Sequence, residues 1–111
     1  MDKGQAIDCV RSFADKARET LDVQQVILFG SYVKGTARED SDIDVAVITA
    51  APVDDWLTTA AELFRIAGDI SLDLEPHLMD SASDRSGFLA HLRRTGEVIY
   101  DREADGAEQE G

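Results

Sequence analysis

Residues 27–49 have the sequence ILFGSYVKGTAREDSDIDVAVIT, in which two apolar segments enclose a short polar loop. The first segment is rich in aliphatic residues and ends at Gly30-Ser31, which predicts a buried strand followed by a turn. The second segment predicts another strand. Asp42 and Asp44 lie two positions apart at its start, so their carboxylates point to the same side. This stretch therefore predicts two core strands with an acidic pair beside them.

Amphipathic helices and short strands are expected around these two strands. Apolar residues three and four positions apart predict helices, and residues such as Asp54 or Asp55 before them are suitable N-caps. The second helix is expected to bury one apolar face: Trp56, Leu57, Ala60, Ala61, Phe64 and Ala67. The expected elements are helices over 6–21, from 54 or 55 to Gly68 and from Ser83 or Asp84 to Gly96, and strands over 26–29, 43–49, 70–79 and 97–100. This order predicts an α/β or α+β fold with helices mainly on one face of the sheet.

The strand predicted over residues 70–79 alternates in polarity, and this matters for function. One side carries apolar residues, which are expected to face the helices: Ile70, Leu72, Leu74, Pro76 and Leu78. The other side includes Asp73, Glu75 and His77 and is expected to be open to solvent or to a ligand. A sheet with one open face can hold a site directly on its strands.

The composition limits the classes of function. The net charge of −12 argues against general nucleic-acid binding, because neutralising phosphates requires clustered Lys and Arg. No apolar run reaches the roughly 20 residues of a membrane helix, and the N-terminal segment lacks a signal-peptide core, so we expect a cytoplasmic protein. We expect one domain over residues 1–101 and a disordered acidic tail over residues 102–111.

The acidic residues are suited to binding a hard divalent cation. Asp42 and Asp44 lie about 6.6 Å apart along a strand, so their carboxylates can converge on one ion or on two. Asp73, on a neighbouring strand, offers a third carboxylate, and such a set of oxygen ligands favours Mg²⁺. The spacing matches neither a calcium-binding EF-hand nor a P-loop. Gly30 and Ser31 begin a short turn whose backbone N–H groups can bind phosphate oxygens.

These residues together resemble a known signature. The segment FGSYVKGTAREDSDIDVAVI has Gly-Ser, ten intervening residues and Asp-x-Asp, and closely resembles the DNA polymerase β-like nucleotidyltransferase superfamily. More narrowly, it resembles the minimal nucleotidyltransferases (MNT, MntA-like antitoxins) found beside HEPN-domain proteins in toxin–antitoxin modules. The resemblance covers roughly residues 5–101 and implies the nucleotidyltransferase fold, with a mixed sheet and an open face carrying the acidic site.

The resemblance also implies a reaction. Gly30 and Ser31 would hold the nucleotide triphosphate, and Asp42, Asp44 and a third acid would bind two Mg²⁺ ions. We assign the third position to Asp73 because of its LDLE context, with Glu75 as the alternative. The enzyme would transfer a nucleoside monophosphate, AMP from ATP, to a hydroxyl group. The acceptor would be a tyrosine of a partner HEPN ribonuclease toxin.

Two other functions stay open. The chain can act as a non-catalytic antitoxin that neutralises its toxin by forming a complex. It can also transfer a nucleotide to a small molecule such as an aminoglycoside, although a second domain to shape such a pocket is absent from residues 1–101. The presence of Gly30, Ser31 and all the candidate carboxylates favours an active protein adenylyltransferase.

Overall fold

The computed structural model describes residues 1–83 and 86–104, in which four strands form one mixed sheet. The helices are α1 (Lys3–Thr20), α2 (Ser31–Lys34), α3 (Trp56–Ile70) and α4 (Phe88–Thr95), with a short 3-10 helix at Ser81–Ser83. The strands are β1 (Val23–Phe29), β2 (Ile43–Thr49), β3 (Leu74–Asp80) and β4 (Glu97–Asp101). Their order in the sheet is β3-β2-β1-β4. The mixed sheet predicted from the sequence is confirmed.

Strand directions follow from the connections. β1 is antiparallel to both β2 and β4, whereas β2 and β3 are parallel and are joined through α3. A parallel pair needs such a crossover, because the chain must return to the same end of the sheet. The pairing of β2 with β3 places Asp44 opposite Glu75 and Ala46 opposite His77.

The two faces of the sheet are covered differently. On one face, α1 and α3 pack on alternate residues of β1 and β2 and form the larger core, which includes Phe13, Leu63 and Val45. On the other face, α4 places Leu89 and Leu92 against Ile27, Ala46 and Ile48. The helices thus lie mainly on one face, as predicted. The single helix on the second face covers the part of the sheet beside Ala46 and Ile48.

The first helix agrees with its sequence pattern. Its predicted apolar stripe is buried at Ala6, Val10, Phe13, Ala14 and Ala17. Asp2 and Gln5 form a capping box at its start: Asp2 Oδ1 accepts from the Gln5 N–H at 2.8 Å, and Gln5 Oε1 accepts from the Asp2 N–H at 2.9 Å. The four backbone N–H groups at a helix start lack helical partners, and this capping box satisfies two of them, those of Asp2 and Gln5.

The predicted orientation of α3 is wrong, although Ala67 of the predicted face is buried. Leu63, Ile66 and Ala67 are its buried residues, whereas Trp56, Leu57 and Phe64 are exposed. Several apolar residues lie on more than one side of this helix, and packing against α1 selects the stripe that is buried. Asp55 caps its start, accepting from the Thr58 N–H at 3.1 Å.

Several predicted boundaries also differ, and α1 and β1 each begin three residues earlier than predicted, at Lys3 and Val23. The helix α3 continues through Gly68 to Ile70, so Gly68 is not its cap, and β3 begins at Leu74 instead of residue 70. Leu72, expected to face inward, therefore precedes the strand and is 92% exposed. The last helix starts at Phe88, later than predicted, and ends at Gly96 as predicted. The alternative start at Asp84 lies outside the described residues.

The end of the described chain is tied to the domain. The guanidinium of Arg102, the first residue of the predicted acidic tail, forms an ion pair with Asp22. The disorder predicted for residues 105–111 lies outside the described residues. Among the helices described, none is both long enough and apolar enough to span a membrane.

Candidate functional site

The acidic site lies at the start of β2, on the face opposite α1 and α3. Ile43 and Val45 point into the larger core, so Asp44 between them points to the other side of the sheet. Glu75 lies opposite Asp44 on β3, and His77 follows Glu75 on the same side. Ligand atoms of Asp44, Glu75 and His77 all lie within 4.8 Å of one another. Two neighbouring strands thus bring together two carboxylates and one imidazole.

His77 is the unexpected member of this group. Its Nε2 atom lies 3.5 Å from Oδ1 of Asp44, yet within the described residues this buried nitrogen has no hydrogen-bond partner. The distance is within reach of an ion pair but too long for a good hydrogen bond. The ring of Phe29 packs against the imidazole, with centroids 5.2 Å apart and planes tilted by 58°. The side chains of His77 and Asp44 keep 39% and 26% of their exposure, so the group can be reached from solvent.

Gly30 joins the turn to the acidic group. It has φ 81° and ψ −148°, a backbone conformation that residues other than glycine rarely adopt. A Cβ atom at this position would overlap Oδ2 of Asp44 and lie 3.3 Å from its Cγ. The absence of a side chain therefore lets the Asp44 carboxylate lie directly against the backbone at Gly30. The fold thus brings the two halves of the sequence motif, the glycine turn and the Asp-x-Asp segment, into direct contact.

The helix α2 starts immediately after this glycine. The Gly30 carbonyl accepts from the N–H groups of Val33 and Lys34, both at 3.1 Å. The N–H groups of Ser31 and Tyr32 come before the first hydrogen-bonded N–H group of the helix, so no hydrogen bond of the α-helix satisfies them. They lie one and two residues from Gly30, so the start of α2 is next to Asp44. This arrangement fits the predicted role of Gly30 and Ser31 in binding phosphate oxygens.

Asp42 and Asp73 lie beside this group but are not members of it. The Ile43 N–H donates to the Asp73 carbonyl at 2.7 Å, so the backbones just before β2 and β3 are joined. Asp42, Asp73 and Glu75 line one cavity of about 360 Å³ together with Phe64 and Leu72 of the adjoining surface. The structure thus places all four candidate carboxylates in one region. It groups Glu75, the predicted alternative, most closely with Asp44.

The charge of Asp73 also reaches the core side of the molecule. Burial raises the pKa of the Tyr32 hydroxyl, and the nearby charge of Asp73 raises it further. Burial likewise raises the pKa of the Cys9 thiol, with added contributions from Asp8 and Asp73. Asp73 therefore lies close enough to both groups for its charge to act on them. Its assignment as the third metal ligand stays a prediction.

The sequence pattern did not predict that His77 is a member of the acidic group. The alternation of β3 placed Glu75 and His77 on the open side, and this is the signal that identifies both. The sequence does not reveal which of Asp73, Glu75 and His77 lies opposite Asp44, because that depends on the pairing of β2 with β3.

The chain is similar to proteins of known family and fold. The family model of the polymerase beta nucleotidyltransferases matches residues 12–105. A curated relative, the protein adenylyltransferase MntA of Thermococcus cleftensis, is 53% identical over 30 residues, which are 27% of this chain and 30% of the relative. The aligned segment thus spans less than a third of that relative's length.

Two solved structures share the fold. A toxin–antitoxin structure with AMP-PNP is 29% identical, with a TM-score of 0.59 over 86% of this chain and 76% of that chain. A complex of a tri-AMPylated HEPN toxin from Shewanella oneidensis with an MNT antitoxin is 23% identical, with a TM-score of 0.59. In that case 91% of this chain and 77% of the other are covered.

Proposed function

Because the chain belongs to the polymerase beta nucleotidyltransferase family, we propose that it transfers AMP from ATP to a hydroxyl group of a partner protein. The partner is a HEPN ribonuclease toxin, the acceptor is a tyrosine, and the chain acts as the antitoxin. The observation that carries this proposal is the contact of Gly30 with Asp44 beside Glu75 and His77. It unites a phosphate-binding turn with cation ligands in one place. The likeness to an adenylyltransferase and to a toxin–antitoxin structure supports the same reaction.

The donor atoms of the site fit a divalent cation. Oxygen ligands come from Asp44 and Glu75, and the buried Nε2 of His77 has no other partner among the described residues. We propose that Asp42, Asp44 and the third acid hold two Mg²⁺ ions, the third acid being Asp73 or Glu75. When bound, Mg²⁺ stabilises charge on the transferred phosphoryl group and lowers the pKa of the attacking hydroxyl.

The residues of the chain then have separate tasks. The N–H groups at the start of α2, with Ser31, hold the phosphate oxygens, since a helix start carries partial positive charge. The acceptor oxygen forms a bond to the α-phosphorus, the bond to the β-phosphate oxygen breaks, and pyrophosphate leaves. A site carboxylate, proposed as Asp73, accepts the proton of the hydroxyl. ATP is available in the cytoplasm, where we place the protein.

The test is transfer of label from ATP to the purified toxin in the presence of Mg²⁺. We expect labelling by the wild type and none by Asp42→Asn or Asp44→Asn. Asp40→Asn removes a neighbouring exposed loop carboxylate and serves as the matched control, which should keep labelling. Labelling that survives both Asp42→Asn and Asp44→Asn would show that the proposed metal ligands are wrong.

The third carboxylate is decided by a paired comparison. Asp73→Asn and Glu75→Gln each remove one charge with little change in shape. The variant that loses Mg²⁺ binding in calorimetric titration, while its urea unfolding curve matches the wild type, identifies the third ligand. Equal and full activity of both variants would exclude a third acid from this region.

A non-catalytic antitoxin is the second candidate. Leu72 is 92% exposed and Phe64 is 53% exposed beside the cavity of Asp42 and Asp73, and such apolar groups suit contact with another protein. Ribonuclease assays of the toxin with wild type and Asp44→Asn separate the two functions. Full suppression by both proteins, with no labelling by either, would favour complex formation over transfer.

A further inference from the structure

The imidazole of His77 gives this site a nitrogen donor beside its two nearest carboxylates. We propose that His77 Nε2 is a metal ligand together with Asp44 and Glu75, and that this position therefore prefers a transition-metal ion such as Co²⁺ or Zn²⁺ to Mg²⁺. This inference rests on the metal-dependent site of the proposed function and specifies which ion one position selects.

The Nε2 atom of His77 is in an unfavourable environment when no ion is bound. Nε2 is buried and makes no hydrogen bond within the described part of the chain, although two carboxylates lie within reach. Buried polar atoms in folded proteins almost always have a partner, because an unsatisfied one costs free energy. A cation between His77, Asp44 and Glu75 would supply that partner to all three groups at once.

The distance between His77 and Asp44 also suits two ligands of one ion. A hydrogen bond from an imidazole nitrogen to a carboxylate oxygen is about 2.7–3.2 Å long. The observed distance from His77 Nε2 to Asp44 Oδ1 is 3.5 Å. Two donors that each lie about 2.1 Å from one ion, at a tetrahedral angle, are about 3.4 Å apart. The separation therefore fits two ligands of a shared cation better than it fits a direct hydrogen bond.

The imidazole of His77 is held in place by its strand and by neighbouring rings. His77 lies within the parallel pairing of β3 with β2, opposite Ala46, so its backbone is fixed. The Phe29 ring packs against the imidazole at 5.2 Å, and the Phe88 ring of α4 packs edge-on against Phe29 at 6.2 Å. A ligand that is already oriented loses little freedom on binding a metal.

Metal preference follows from the donor set. Mg²⁺ is a hard ion that favours oxygen ligands and retains water, whereas imidazole suits zinc and other transition metals. For sites with nitrogen and oxygen donors, affinity rises from manganese through cobalt to copper. One nitrogen and two carboxylates should therefore bind Co²⁺ more tightly than Mg²⁺.

Calorimetric titration of the untagged chain, without nucleotide or partner, tests the preference with Co²⁺ and with Mg²⁺. His77→Asn keeps a side chain of similar reach but offers an amide oxygen in place of the ring nitrogen. We expect it to weaken Co²⁺ binding by at least about 10–100-fold, the range known for groups that only support a ligand. Mg²⁺ binding should change by less than about threefold. Unchanged Co²⁺ affinity, or equal losses for both ions, would overturn the proposal.

His91→Asn is the matched control, since His91 is exposed on α4 and the chain has 2 histidines. This variant should bind Co²⁺ as the wild type does. It also leaves His77 as the sole imidazole, so ¹⁵N spectra of the histidine-labelled variant need no assignment. Saturating Zn²⁺ should shift the Nε2 resonance, and an Nε2 signal that stays unchanged would refute ligation even if His77→Asn fails to fold.

The outcome is separate from that of the transfer assay. Neither measurement contains ATP or the toxin, so His77-dependent binding of Co²⁺ can hold even if AMP transfer is absent. Conversely, AMP transfer can depend on Asp42 and Asp44 even if Co²⁺ binding does not depend on His77.

Discussion

Replacement of Gly30 by alanine tests whether the glycine turn positions the acidic site. The new Cβ would overlap Oδ2 of Asp44, so the carboxylate has to move by roughly 1 Å to reach an ordinary contact distance. A misplacement of that size in a catalytic group costs about 100-fold in rate. We therefore expect Gly30→Ala to lower AMP transfer by about this factor.

The same substitution strains the backbone. At φ 81° and ψ −148°, a residue with a side chain costs about 1–3 kcal/mol of folding free energy. Domains of this kind have about 5–15 kcal/mol of stability, so the variant should stay folded at 25 °C. Loss of activity in the folded variant can then be attributed to the position of Asp44.

Gly87→Ala is the matched control for backbone strain. Gly87 also has a positive φ, 75°, but a Cβ there meets nothing within 4 Å. Its cost in urea unfolding should be about 1–2 kcal/mol, with AMP transfer unchanged. If Gly30→Ala keeps transfer within about threefold of Gly87→Ala, the reasoning that Gly30 positions Asp44 is refuted.

Three further predictions concern stability and reactivity. Hydrogen bonds from Thr58 lower the pKa of Asp55 below its ordinary 3.8, so its stabilisation is complete above that pH and is lost as the pH falls through the folded value. The difference in urea midpoint between wild type and Asp55→Asn should therefore shrink as the pH falls below about 4, and a constant difference would contradict this. Phe13→Ala empties a fully buried position and should cost about 3–5 kcal/mol in urea unfolding, whereas Leu57→Ala, at a position that is 82% exposed, should stay within about 0.5 kcal/mol; similar values for the two would contradict the assigned core. Burial raises the pKa of the Cys9 thiol, so iodoacetamide should alkylate it more slowly in the native chain than in urea at about pH 8, and equal rates would argue against this environment.

The strands around the motif could be predicted because their signals are local. The apolar run before Gly30 and the alternation after Asp42 depend on neighbouring residues, and so does the apolar stripe of α1. The requirement for glycine at position 30 was also visible as a strand ending in a turn. The physical reason for a glycine there could not be predicted, because the contact with Asp44 joins residues 14 positions apart.

The orientation of α3 could not be predicted, for a physical reason. Leu63 and Ile66 form one apolar stripe of this helix, while Leu57 and Phe64 form part of another. Local pattern cannot choose between two stripes of similar hydrophobicity. The choice is made by packing against α1 and the sheet, which requires contacts between residues distant in sequence.

The identity of the third ligand is a question of strand register. Glu75 and His77 alternate with apolar residues of β3, so a shift of this strand by one residue would turn both toward the core. Shifts by two residues keep them on the open face but change which one lies opposite Asp44. Burial of Leu74 opposite Ile43 fixes the observed pairing, and with it the place of Glu75 opposite Asp44. The hydrophobic contacts on the core side thus determine which ligands meet on the open side.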